Sequence, residues 1–278
     1  MSRAHHAGHE FRGPNGPIDP GLVRHDTGGP VWYEARGAGW KAAFSTRLGG
    51  VSAPPYDSLN LGLTTADDPK AVRRNRSAFA AAAGVSGRDL VVPGQVHGVT
   101  VAEVGNGERG RGALDRAGVV AETDGLLTRE PGLPLFVSFA DCVPVLLVAG
   151  SPARALALVH AGWRGMAAGI VAEAARALGA YGAARAAVIG PSIGPCCFAV
   201  SADVGERFEA TFPGTWRDGH VDLWEAARQE LAAAGLAPGA ILTSGLCTCH
   251  DLQFFSHRRE RGVTGRQAAI AWMTGGSA

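Results

Sequence analysis

The sequence predicts a mixed α/β fold (α+β in the order of its elements), built as a single layered α/β sandwich domain. Three observations lead there. First, the centre of the chain holds three apolar runs of strand length, 135–139, 143–148 and 155–159. Runs of that length with no polar alternation fit strands buried on both faces. Second, strands alternate with helices in the second half, while the first half is strand-rich, a pattern that calls for helical layers against a sheet core. Third, no internal repeat and no clean linker divides the 278 residues, and a hydrophobic content of 46% suffices to bury one large core.

The elements follow in chain order. Residues 1–28 carry Gly, Pro and histidines, among them His5, His6 and His9, without apolar periodicity, and are expected to form a flexible N-terminal tail ahead of one domain over 29–275. Val31-Trp32-Tyr33 and 41–45 have strand character. Asp68 followed by Pro69 is a helix start, with proline at the first helical position; the helix it opens runs through Phe79 and stops at Gly84. Short strands are expected at 90–92 and 99–104, then a glycine-rich, charged loop over 105–118. After the three central strands, 166–178 has helical character, Ala186-Ala187-Val188-Ile189 a further strand, and 202–212 and 223–234 two more helices.

Composition narrows the function. The net charge is +1, so no overall field draws nucleic acid or an acidic membrane surface. No stretch approaches the roughly 18–20 apolar residues of a spanning helix, and the polar start lacks the apolar core of a secretory signal. The expected compartment is the cytoplasm, where five cysteines are free thiols or ligands in preference to disulfides.

Three segments place a soft-metal ligand beside glycine or at a strand end: Gln95-Val96-His97-Gly98, Ala140-Asp141-Cys142 and Val159-His160-Ala161-Gly162-Trp163-Arg164-Gly165. Two imidazoles and one thiolate suit zinc or copper better than magnesium or calcium. Three protein ligands leave a coordination position open, as in a catalytic site. A buried free cysteine and two hydrogen-bonded histidines would give the same pattern, and the spacing alone does not separate the two readings. Cys247, Cys249, His250 and His257 form a denser cluster, but Cys-x-Cys-His strains one tetrahedral centre; Cys196-Cys197 is read as packing. The His160–Gly165 junction suits an anion, with helix N–H groups and the Arg164 fork. Phe255-Ser256-His257-Arg258-Arg259 with Gly265-Arg266, and Ser45-Thr46-Arg47 before Gly49-Gly50, repeat that theme.

Taken in order, Phe44-Ser45-Thr46-Arg47, Ser58-Leu59-Asn60-Leu61-Gly62, Gln95-Val96-His97-Gly98, Asp124-Gly125-Leu126, Ala140-Asp141-Cys142-Val143-Pro144, His160-Ala161-Gly162-Trp163-Arg164-Gly165, Gly190-Pro191-Ser192-Ile193-Gly194 and Phe255-Ser256-His257-Arg258-Arg259 resemble the laccase-domain family, once called multicopper polyphenol oxidases. The resemblance spans about residues 44–272. It implies a layered α/β sandwich similar to the catalytic domain of cytotoxic necrotizing factors. It also implies metal ligation by His97, Cys142 and His160, with zinc as the cofactor and copper as the alternative. The implied activity is purine nucleoside phosphorolysis: adenosine, inosine or methylthioadenosine and phosphate give free base and ribose 1-phosphate, with adenosine deaminase side activity.

On this reading Arg47, Asn60, Arg164 and Arg258 are expected to bind substrate. Asp141 is expected to carry a proton or to support a ligating histidine. In an extended backbone Asp141 and Cys142 would face opposite ways, so the strand must end between them. Rival readings are a metal-independent cysteine hydrolase or deamidase using Cys142 and His160, a copper phenol oxidase, and a non-enzymatic binding protein of cell-wall pathways. Nine histidines, with those at 5, 6 and 9 in the tail, are too few for a multicopper oxidase, and Val99 stands where a zinc deaminase needs glutamate. Oligomeric state is not legible.

Overall fold

The computed structural model describes residues 21–275, in which 143–149 and 155–161 form the middle of one sheet and 135–139 the edge of a second stacked on it. A five-stranded antiparallel sheet runs in the order β1 (Val23–His25), β2 (Trp32–Gly37), β3 (Trp40–Ser45), β13 (Gln267–Met273), β6 (Leu135–Phe139). A six-stranded mixed sheet runs β12 (Ile241–Thr243), β9 (Ala184–Ile189), β7 (Val143–Ala149), β8 (Ala155–Ala161), β5 (Gly125–Thr128), β4 (Val101–Glu103). A two-stranded ribbon joins β10 (Trp216–Arg217) to β11 (His220–Val221).

Alternation of side chains along each strand assigns every residue to a layer. On β7, Val143, Val145 and Leu147 turn to one side, where they pack with α2 (Trp163–Ala167), α3 (Ile170–Leu178), α4 (Ala202–Thr211) and α5 (Leu223–Ala233). Leu146 and Val148 turn to the other and meet Tyr33, Phe44, Leu135, Val137, Ala269 and Ala271 of the five-stranded sheet. The far face of that sheet (Trp32, Ala43, Phe136, Ile270, Trp272) is closed by α1 (Pro69–Ala83) through Phe79, Ala80 and Ala83. The layers are therefore helix, sheet, sheet, helices. This is the mixed α/β sandwich that the sequence predicts, and its central strands are buried on both faces as their composition requires.

Local chemistry sets the helix ends. Asp68 caps α1 by accepting from the Lys70 N–H at 2.9 Å, Pro69 opens it, and Gly84 closes it with φ of 89°. The expected single helix over 166–178 is two helices, because Gly169 takes a left-handed conformation (φ 91°) between α2 and α3.

Other expectations are corrected too. Of the expected 1–28 tail, residues 1–20 lie outside the described residues, while Val23–His25 pairs with β2, and the His25 and Trp32 rings stack at 4.1 Å. The expected strand at 90–92 makes only isolated bridges, through Val91 to Gly112 and Leu135 and through Pro93 to Val120. Within 99–104 only Val101–Glu103 pairs. The sequence reading missed β5, β12 and β13. β13 is buried along its whole length, yet three of its seven residues are alanine, a poor strand former with little apolar bulk to betray it.

Candidate metal centre

The β7–β8 hairpin brings two of the three soft ligands together. Pro144 pairs with His160 across it, so the beginning of β7 lies beside the end of β8. Cys142 precedes β7 by one residue. His160 shares the parity of Leu156 and Leu158 and faces the space between the sheets. Asp141 has φ of 86°, so the extended backbone has ended there, as a shared end for Asp141 and Cys142 requires.

The third ligand sits on a turn that the chain holds in place from two directions. Gln95 and His97 both have positive φ, 53° and 63°, a costly state for residues with side chains. The Gln95 amide pairs with Ser138 on β6: its N–H donates to the Ser138 carbonyl at 2.6 Å, and its oxygen accepts from the Ser138 N–H at 3.0 Å. Asp124, fully buried just ahead of β5, accepts the N–H groups of Val96 (3.0 Å), His97 (2.9 Å) and Gly98 (2.7 Å). The same carboxylate lies 3.0 Å from His160 Nδ1. A carboxylate acceptor places the ring proton on Nδ1 and leaves Nε2 as a lone-pair donor, the usual orientation of a ligating histidine. Burial pushes the Asp124 carboxyl upward, but the bonds from His160 and from the turn N–H groups outweigh it and hold the carboxyl below its ordinary range.

The donor atoms of His97, Cys142 and His160 all lie within 4.8 Å of one another. Cys142 Sγ is 3.9 Å from His97 Nε2, and a tetrahedral zinc would set such a pair about 3.6 Å apart. Burial raises the Cys142 thiol, yet the two imidazoles beside it, His160 foremost, draw it down to about 6. Desolvation works against protonating His160, while Cys142 and Asp124 favour the imidazolium and raise its pKa to about 9. With no metal bound, each partner draws the other toward its charged form. Gly162 makes the space between the ligands: a Cβ there would stand 2.6 Å from His97 Cδ2 and 3.2 Å from Cys142 Sγ. Donor set, free Nε2 and glycine-made space all fit a soft divalent or monovalent metal.

The centre opens into a cleft of about 670 Å³, within the range of small-molecule sites. Asp141, Trp163, Arg164, Ile193, Phe198, His257, Arg258 and Arg266 share its wall. Among the described residues the exposed Arg164 guanidinium makes no hydrogen bond and lies 4.3 Å from the Trp163 ring. Arg258 donates to the Ala199 carbonyl at 2.8 Å and sits 5.2 Å from the Phe198 ring.

Two expected substrate residues are not on that wall. Arg47 is braced between Asp57 and Glu260 (2.8 Å) and stacks at 4.5 Å on Phe255, so it pins loops together. Asn60 is fully buried, with its amide on Thr65 and Asp67 and its oxygen on the N–H groups of Gly62 and Arg266, which makes it an internal brace. Asp141 is on the wall. Its oxygens accept from Thr248 Oγ1 (2.7 Å), Ser256 Oγ (3.1 Å) and the Arg258 N–H (2.7 Å), so it ties the 248–258 segment to the site and leaves the support of His160 to Asp124. Sequence reasoning passed over Asp124 in that role, and over Gln95, although both belong to short glycine-containing motifs. An aspartate immediately before a strand-opening glycine was the available signal.

The sequence model of the family described as multi-copper polyphenol oxidoreductase laccase matches residues 41–274. A protein of Geobacillus stearothermophilus named purine nucleoside phosphorylase YlmD is 41% identical over 252 residues, covering 84% of this chain and 90% of that protein. A purine nucleoside phosphorylase of Mycobacterium tuberculosis is 41% identical over 237 residues, covering 82% and 90%. The crystal structure of the Geobacillus YlmD protein superposes with a TM-score of 0.85 at 37% identity, covering 93% of this chain and all of that one.

Proposed function

The chain belongs to the multi-copper polyphenol oxidoreductase laccase family, and on that premise we propose that it is an enzyme, a metal-dependent purine nucleoside phosphorylase. In this reading it cleaves adenosine, inosine and methylthioadenosine with phosphate to free base and ribose 1-phosphate, with adenosine deamination as a side activity of the same site. Zinc is the proposed metal and copper its competitor, because Cu²⁺ exceeds Zn²⁺ in affinity at such ligands and supply decides. The observation that carries the reading is the convergence of His97, Cys142 and His160 in a cleft of nucleoside size with Arg164, Arg258 and Arg266 on its wall.

Phosphorolysis breaks the bond between the sugar carbon and the purine nitrogen. The electron pair leaves with the base, and a phosphate oxygen bonds to the sugar carbon. The residues must therefore hold phosphate, seat the purine and keep water from competing. Arg164 has its planar fork available for two parallel hydrogen bonds to phosphate, and Arg258 and Arg266 add positive potential. Trp163 and Phe198 offer aromatic faces to a purine. Asp124 keeps the His160 ring in one orientation and the His97 turn closed. A metal held by His97, Cys142 and His160 would supply Lewis-acid chemistry toward the departing base or toward C6 of adenine.

The test is ribose 1-phosphate formation from inosine and phosphate. Chelation is expected to abolish it and zinc to restore it, while Cys142→Ala stays inactive with zinc present. Full activity in Cys142→Ala would sink the assignment. One observation favours a second reading: the Cys142 thiol, drawn to about 6 beside His160, is also the pair of a cysteine hydrolase or deamidase. Ester or amide hydrolysis by the chelator-treated protein, abolished by alkylation of Cys142, would select it. Among the described residues no group joins three histidines, so nothing in the geometry favours phenol oxidation.

A further inference from the structure

A second group of soft ligands lies behind the cleft wall, apart from the first. Cys196 and Cys197 sit on a turn whose N–H groups at Cys197 and Phe198 both donate to the Gly194 carbonyl, at 3.0 and 3.1 Å. Cys247 arrives from the segment after β12. Ser192 zips the two segments together, donating to the Leu246 carbonyl at 3.1 Å and accepting from the Thr248 N–H at 3.0 Å. The Sγ atoms of Cys196, Cys197 and Cys247 all lie within 4.8 Å of one another, and those of Cys196 and Cys197 are 3.5 Å apart. The Gly194 N–H donates to Cys247 Sγ at 3.2 Å, which fixes that sulfur beside the turn.

Packing does not explain three thiols turned toward one point, one of them exposed. A disulfide between the neighbours is disfavoured as well. Adjacent Cα atoms stand about 3.8 Å apart across a trans peptide, less than the roughly 4.4–6.8 Å that disulfides span. Metal–sulfur bonds of about 2.3 Å would place three trigonal sulfurs about 4 Å apart, inside the range seen here. Thiolates select soft ions. Zinc in a structural site takes four ligands, whereas only three donors converge, and Cys249 stays outside the triangle. Arg258 and Arg259, bonded to the carbonyls of Ala199 and Cys249 at 2.8 and 3.0 Å, bring positive charge to the negative site that three thiolates would make.

We propose that Cys196, Cys197 and Cys247 form a second, thiolate-only site that takes monovalent copper, distinct from the His97/Cys142/His160 centre. On binding, the three S–H protons pass to solvent and three S–Cu bonds form, with no change in oxidation state. The turn so fixed carries Phe198 into the cleft wall.

The test uses the full chain, reduced and anaerobic, with free thiols counted under denaturing conditions. Cu(I) is offered in competition with a chromophoric Cu(I) chelator. The Cys142→Ala protein is expected to retain one equivalent, with X-ray absorption reporting three sulfur neighbours and no imidazole. That equivalent is expected to be lost in Cys142→Ala carrying Cys196→Ser and Cys197→Ser, both at exposed or half-buried positions that a serine fits. Fully reduced Cys142→Ala that retains no copper would overturn the proposal. So would retention unaffected by the two serines, an imidazole in the copper shell, or a preference for zinc in a parallel competition. None of these outcomes depends on phosphorolysis, so this inference and the proposed activity fail separately.

Discussion

Replacing Gly162 by alanine adds one methyl group at the narrowest point between the ligands of the first centre. The backbone there has φ of −67° and ψ of 163°, which alanine adopts without strain, so the perturbation is confined to space. The new Cβ would meet His97 Cδ2 at 2.6 Å; to reach an ordinary contact of 3.4 Å the ring must retreat by about 0.8 Å. Metal–ligand distances tolerate only about ±0.2 Å, so the ring leaves the coordination shell. Lesser changes, in the groups that merely orient ligands, already cost about 10–100-fold in metal affinity, and Gly162→Ala is expected to cost at least about 100-fold. His97 is exposed and can swing outward, so the metal-free protein should lose no more than about 1 kcal/mol, or about 2–4 °C in Tm for a chain of this size. The assay is a zinc titration against a competing chelator, paired with thermal melting of the metal-free protein. An unchanged zinc Kd in a well-folded Gly162→Ala protein would show that these ligands do not share an ion.

Three other perturbations probe the same structure. Asp124→Asn removes the charge that collects three N–H groups and the His160 ring; zinc affinity is expected to fall about 10–100-fold, and restoration by no other variant than Glu or Asp at 124 would be read from the same titration. In chelator-treated protein, alkylation of Cys142 is expected to rise as pH passes through about 6, where the thiolate forms, and zinc should suppress it; a midpoint near the ordinary thiol value of about 8.5 would refute the ion pair. Glu230 on α5 is buried facing the N–H groups of Val171 and Ala172, and burial lifts its carboxyl to about 7, with Oε2 lacking a hydrogen-bond partner among the described residues. The folded state thus holds this proton more tightly than the unfolded state. Its contribution is fully present below the unfolded value of about 4.3 and is lost as pH rises through about 7. Glu230→Gln is therefore expected to match the parent near pH 4 and to exceed it by about 3–4 kcal/mol at pH 8, as denaturant unfolding would measure. A difference independent of pH would exclude Glu230 as its source.

The β7–β8 hairpin was legible because its runs of Val, Leu and Ala are apolar throughout 143–149 and 155–159, a composition that suits short strands covered on both sides. The cap at Asp68 and the stop at Gly84 were legible because single residues there have no cheaper use. The break at Gly169 was not, since a helical period of apolar residues continues across it and only a left-handed backbone interrupts the helix. At the candidate site, ligand chemistry marked His97, Cys142 and His160, which the fold does bring together. Arg47 and Asn60, by contrast, lie off the cleft wall. A guanidinium and an amide suit a ligand and a neighbouring loop equally well, and here Glu260 and Asp67 claim them. The supporting part of Asp124 was invisible because its partners are backbone N–H groups, which carry no residue type. The meeting of Cys247 with Cys196 depends on the pairing of Ser192 with Cys247, 55 positions further on, beyond the reach of local pattern.

β13 lies inside the five-stranded sheet, between β3 and β6, though every other strand of the described residues precedes it in the chain. During synthesis, β1, β2 and β3 form an antiparallel meander with no way to join β6 until residues 267–273 leave the ribosome. Until then the exposed edges of β3 and β6 invite pairing with other chains. The nascent protein therefore waits, aggregation-prone, for a late alanine-rich segment to seal it, and its yield in a cell should depend on chaperone protection through that interval more than on final stability.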